Sequence, residues 1–137
     1  MKHKLGITLL LATTLSIGAY AMAGPNMQPG QWKMTGQMEM PGMPMKIPAV
    51  TFHQCITKKD MVPRSKQSQE CKMLNHTTEG NTVKWKMQCN NKQGGPSTME
   101  GEVTYSGKSM KGTVKIMNGG SQMLQRISGT WVGQCQK

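Results

Sequence analysis

The sequence predicts an all-β domain: an antiparallel meander of about seven strands, cross-linked by two disulfides and rolled into a strongly curved sheet or open barrel. Three observations lead there. Apolar and polar residues alternate in short runs along most of the chain, glycine-containing turns separate the runs, and no stretch keeps a helical period for more than a turn or two. The cysteines, Cys55, Cys71, Cys89 and Cys135, are even in number and contain no CxxC pair, which reads as two disulfides and not a zinc site.

Residues 1–23 have the form of a cleaved secretory signal. Lys2 and Lys4 precede an apolar stretch beginning at Leu5, and Ala21-Met22-Ala23 provides the small residues of a cleavage site. Thr8, Thr13, Thr14 and Ser16 dilute the apolar stretch, against a retained membrane span. No cysteine lies near the junction for a lipid anchor, and no twin-arginine pair precedes it, so export in the unfolded state is expected. Residues 24–30 form a short lead-in and residues 31–137 a single β domain. No later stretch is apolar enough to cross a membrane, so an integral membrane protein is not expected.

The strands follow in order. From Gln31, the residues Trp32, Met34, Met38 and Met40 share one face and Lys33, Thr35, Gln37 and Glu39 the other. Pro41, Pro44 and Pro48 interrupt any ladder, and a second strand runs from about Ala49 to Ile56. Residues 57–63 are expected to hold one helical turn, and residues 64–70 a polar loop. Pairing about Gly80 then sets Cys71 opposite Cys89, Met73 opposite Met87, Asn75 opposite Trp85 and Thr77 opposite Val83, all on one face. Opposed Cβ atoms lie about 4.5–5.5 Å apart, close to what a disulfide needs. Cys71–Cys89 is therefore expected, leaving Cys55–Cys135. Loop closure values these at about 3 and about 4–5 kcal/mol respectively. In the last two hairpins Met99, Val103 and Tyr105 meet Met110, Val114 and Ile116 across the turn at Gly107, and Met123, Ile127 and Trp131 continue the inward set.

This order of residues resembles the bacterial secreted family known as domain of unknown function 3617. The likeness rests on Gly30-Gln31-Trp32, the segment Met38-Glu39-Met40-Pro41-Gly42-Met43-Pro44-Met45, His53-Gln54-Cys55, Thr57-Lys58 before Val62-Pro63, and Cys71. It continues through Gly80-Asn81, Trp85, Cys89, Tyr105-Ser106-Gly107, Lys111-Gly112 and Gly133-Gln134-Cys135. The resemblance implies export and a β-rich fold, and it implies no activity. With the signal sequence, it makes the expected location periplasmic or secreted.

No enzyme is expected. His53, His76, Asp60 and the glutamates form no nucleophile–base–acid set, and neither a phosphate-binding glycine loop nor HExxH occurs. No cofactor is expected, with one exception. The chain has 15 methionines, which serve either as adaptable core filler or for their sulfur. Met38, Met40, Met43 and Met45, with His53 and Trp32 as possible neighbours, form a candidate Cu(I) or Ag(I) site, because thioethers are soft ligands. Met43 and Met45 are its strongest members, since their proline-flanked loop frees them from the strand pattern.

The leading expectation is a binding module: a Met- and Trp-lined sheet that holds a small apolar ligand or docks on an envelope component. The formal charge of +11 favours anionic partners, and Lys84, Lys86, Lys111 and Lys115 on outward faces are candidates for binding an anionic membrane or envelope polymer. Nucleic acid is not expected, because the aromatics fall on inward faces and form no stacking platform.

Overall fold

The computed structural model describes residues 24–45, 47–64, 70–91 and 95–136. The expected signal sequence, residues 1–23, lies outside them, as does most of the expected loop 64–70. Among the described residues seven strands form: β1 (Gly30–Glu39), β2 (Val50–Ile56), β3 (Cys71–Glu79), β4 (Thr82–Asn91), β5 (Gly95–Ser106), β6 (Ser109–Asn118) and β7 (Ser121–Gly133). Every pairing is antiparallel, in the order β2-β1-β7-β6-β5-β4-β3. Both disulfides, Cys55–Cys135 and Cys71–Cys89, are present.

The expected strongly curved sheet or open barrel is not what forms. The sheet is open, with β2 and β3 as its two edges and no ladder between them. Closure is unnecessary at the Trp32–Tyr105 end of the inner face, where other segments cover it. Met27 of the lead-in, Ile56 at the end of β2 and Val62 beyond it join Trp32, Met34, Val83, Val103, Tyr105 and Met110 in one buried cluster. The lead-in runs beside the β5–β6 turn, bridging Met27 to Gly107, and its Gln28 and Pro29 carbonyls accept hydrogen bonds from the Trp32 and Trp131 indoles at 2.9 and 3.1 Å. On the other side, the Tyr105 hydroxyl donates to the Met61 carbonyl at 2.6 Å, and the Gln54 side chain bonds the backbone of Val62 and Arg64. Segments that carry no periodicity are thus the second layer that a half-apolar sheet requires.

Inner-face glycines let large neighbours lean across the sheet. A Cβ at Gly101 would strike the Trp85 indole, and one at Gly129 would strike Met34 and Met110 on the two adjoining strands.

Two local expectations need correction. In the β3–β4 hairpin Cys71–Cys89 and Met73–Met87 pair as expected, but a bulge at Leu74 moves the remainder by one, so that His76 faces Trp85 and Thr78 faces Val83. The tight loop is Gly80-Asn81, with Gly80 at φ 59°. A two-residue loop needs one extra residue on β3 to restore the outer register, and the exposed Leu74 is that residue. Asn75 and Thr77 consequently belong to the outer face. Residues 57–60 also form no helical turn: Thr57 and Asp60 exchange backbone hydrogen bonds of 3.2 and 3.1 Å around Lys58-Lys59.

Candidate functional site

The inner face divides into two halves along the strands. One half, around Trp32 and Tyr105, is sealed: the two rings meet edge to face at 5.6 Å and are essentially inaccessible. Toward the other end, the ladders align Met73, Met87, Met99, Ile116 and Met123 across five consecutive strands. Met87 in this row is buried, whereas Met73, Met99, Ile116 and Met123 are only half-buried. Alternation on each strand explains the placement, because every one of these residues shares the parity of the inward set.

Met40 continues the row. The β1–β7 ladder ends at Glu39 opposite Leu124, so Met40 follows one step beyond, beside Met123. There Met40, Pro41, Met43, Ser121, Gln122 and Met123 line a hollow of 630 Å³. The Met43 N–H donates to the Met40 carbonyl at 3.2 Å, closing a turn through Pro41 and Gly42.

The five residues of the candidate metal set are not brought together. Met40 and Met43 line the hollow; Met45 is 75% exposed and does not line it, and Met38 sits half-buried opposite Gln125. His53 pairs with Lys33 on the outer side of the sheet, five residues or about 17 Å along β1 from Met38. Trp32 is fully buried against Tyr105. Met123 lines the hollow without belonging to the sequence-derived set, because only the non-local pairing of β1 with β7 places it beside Met40.

The four candidate lysines occupy the outer face among acids. Lys86 pairs with Glu100 at 2.8 Å and Lys84 with Glu79 at 3.1 Å. Lys115 lies opposite Glu100 on the far side, while Lys111 lies opposite Thr104. The hydrogen bond from Lys86, and then its charge, hold the Glu100 carboxyl below the usual carboxylate range, with Lys115 adding to the effect. A groove of 390 Å³ runs over this region, lined by Asn75, Thr77, Lys84, Lys86, Glu102 and Thr113 among others. Its charges alternate in sign.

A family model described as protein of unknown function (DUF3617) matches residues 27–135. The chain belongs to this family. Comparison with curated proteins and with solved structures gives no match. The matched span runs from the lead-in methionine that packs into the core to the half-cystine beyond β7. It therefore takes in the whole sheet, both disulfides and the methionine hollow. Among the described residues no His, Cys, Asp or Glu cluster is grouped to hold a metal ion, and no helix is long and apolar enough to cross a membrane.

Proposed function

We propose that this member of the DUF3617 family is an exported, non-enzymatic binding protein that takes a small apolar ligand in the methionine-lined hollow at the open half of its inner face. The hollow carries this reading. Its volume falls in the range of ligand sites, about 300–1,000 Å³, and its walls are apolar with a few polar groups, Ser121 and Gln122, to orient what enters. Flexible, polarisable methionine adapts to ligands of varied shape, and the half-buried Ile116, Met99 and Met73 in the same row extend the apolar surface beyond the mouth.

The arrangement of acids and bases supports a non-enzymatic role. His53 and His76 lie on opposite edge strands of the seven-stranded sheet, about 29 Å apart at ordinary strand spacing. Glu39, Asp60, Glu79 and Glu100 are engaged with Arg126, Arg64, Lys84 and Lys86. Export is supported by the leader-like residues 1–23 together with the two disulfides. Docking of the basic surface on an anionic envelope component is secondary, because Lys84 and Lys86 are ion-paired within the sheet.

Titration with N-phenylnaphthylamine, an apolar probe that fluoresces on leaving water, tests the proposal. Saturable binding is expected for the wild type and for Met43→Leu, and its loss for Met123→Lys with the thermal transition retained. Absence of saturable binding by the wild type would overturn the reading.

A further inference from the structure

We infer that Met40, Met43 and Met123 form a soft-cation site that takes a monovalent ion, Cu(I) or Ag(I), through thioether sulfur alone. Two pieces of backbone chemistry bring the three together. Met40-Pro41-Gly42-Met43 is a turn closed by the Met43 N–H on the Met40 carbonyl, with Gly42 at φ 86°. Proline in the second position and a positive-φ glycine in the third are the requirements of a type II turn, which holds its end residues within about 7 Å. The third thioether arrives from the far end of the chain, since the β1–β7 ladder delivers Met123 beside Met40. All three residues line the same hollow.

The lining also selects the ion. It contains no carboxylate, imidazole or thiolate, and the cysteines are all consumed in disulfides. Hard divalent cations want anionic oxygen, and zinc wants nitrogen or thiolate. Neutral thioethers suit a soft, singly charged ion with little ligand-field demand. A chain of formal charge +11 offers a cation no general attraction, so affinity must come from the sulfur–metal bonds themselves. Thioethers do not titrate near neutrality and do not pair into disulfides, so the site stays competent in the oxidising compartment the disulfides imply. Met45 and Met38, although in the same run of sequence, do not line the hollow.

This inference is independent of the apolar-ligand reading, and leucine separates them: it keeps the apolar wall and removes the sulfur. The experiment is competition for Cu(I) between the disulfide-intact protein and bathocuproine disulfonate, with ascorbate keeping copper cuprous and leaving the disulfides formed. The wild type should retain one Cu(I). Met43→Leu and Met123→Leu should each weaken retention by at least about tenfold, the smaller loss seen even for outer-shell changes at metal sites. Met38→Leu and Met45→Leu should leave it unchanged, and all four variants should still bind N-phenylnaphthylamine if that separate reading holds. Surrender of all copper by the wild type, or equal weakening by Met45→Leu and Met123→Leu, would overturn the site. Should Met123→Leu not fold, Ag(I) titration of wild-type protein labelled at the methionine methyls decides: Met40, Met43 and Met123 must shift together while Met45 does not, and any other set rejects the assignment.

Discussion

Gly101 stands directly opposite Trp85 in the β4–β5 ladder, and the indole occupies the space that a Cβ at Gly101 would need. Trp85 is buried, with the neighbouring Val83 and Val103 fully so. Gly101→Ala is therefore expected to destabilise the fold by about 1–3 kcal/mol, the usual cost of overpacking. Urea denaturation followed by tryptophan fluorescence checks this: the midpoint should fall with the slope unchanged.

Tyr105 gives a prediction in alkali. Burial, with the Asp60 charge second, pushes its hydroxyl well above the ordinary tyrosine value. The folded state thus holds this proton more tightly than the unfolded state does. The resulting stability is complete below pH of about 10 and is lost as pH rises from there toward the folded value. Tyr105→Phe should flatten that alkaline decline. At neutral pH it should cost about 1–3 kcal/mol by leaving the Met61 carbonyl without its donor. Melting curves at pH 7 and above pH 10 compare the two.

The disulfides should differ in worth. Cys55–Cys135 spans 80 residues and Cys71–Cys89 spans 18. Chain entropy then assigns about 4–5 kcal/mol to the first and about 3 kcal/mol to the second. Double serine variants of each pair, compared by denaturant midpoint, should rank in that order. The reverse order would mean that the hairpin bridge contributes chiefly through the folded state.

On the acid side, Glu100 is held below its ordinary value of 4.5 by Lys86. A depressed folded value means that the contribution is present above pH 4.5 and is lost as pH falls through the lowered value. Glu100→Gln should reduce the pH dependence of stability in that acid range and leave the alkaline range alone. In Lys86→Met, the Glu100 carboxyl resonance should titrate at higher pH than in the wild type.

Much of the strand pattern was legible because a single parity runs through each strand: Trp32 and Met34, Val103 and Tyr105, and Met110 and Val114 are all inward as expected. Both disulfides followed from one hairpin register. The bulge at Leu74 was not legible, since Cys71 and Cys89 meet in register whether or not an extra residue lies between them and the turn. The openness of the sheet is illegible for a different reason. Met27 and Val62 sit in segments without periodicity, so nothing in the pattern marked them as cover for the inner face. Of the candidate metal set only Met40 and Met43 meet in the hollow, where Met123 lies beside them, because nearness in sequence is not nearness in space when β1 is flanked by strands from both ends of the chain.

The two disulfides also govern how the molecule would come apart. An open ribbon of strands fails by peeling from its margins, and here each margin is riveted: Cys71 of β3 to its neighbour β4, and Cys55 of β2 across β1 to the chain beyond β7. Peeling cannot begin on either side until a covalent bond is cut. Reduction would free both edge strands, and their release would pass the open edge inward to β1 and β4. Where thiols stay reduced, the open edges are then the ten-residue β1 and β4 in place of the shorter β2 and β3.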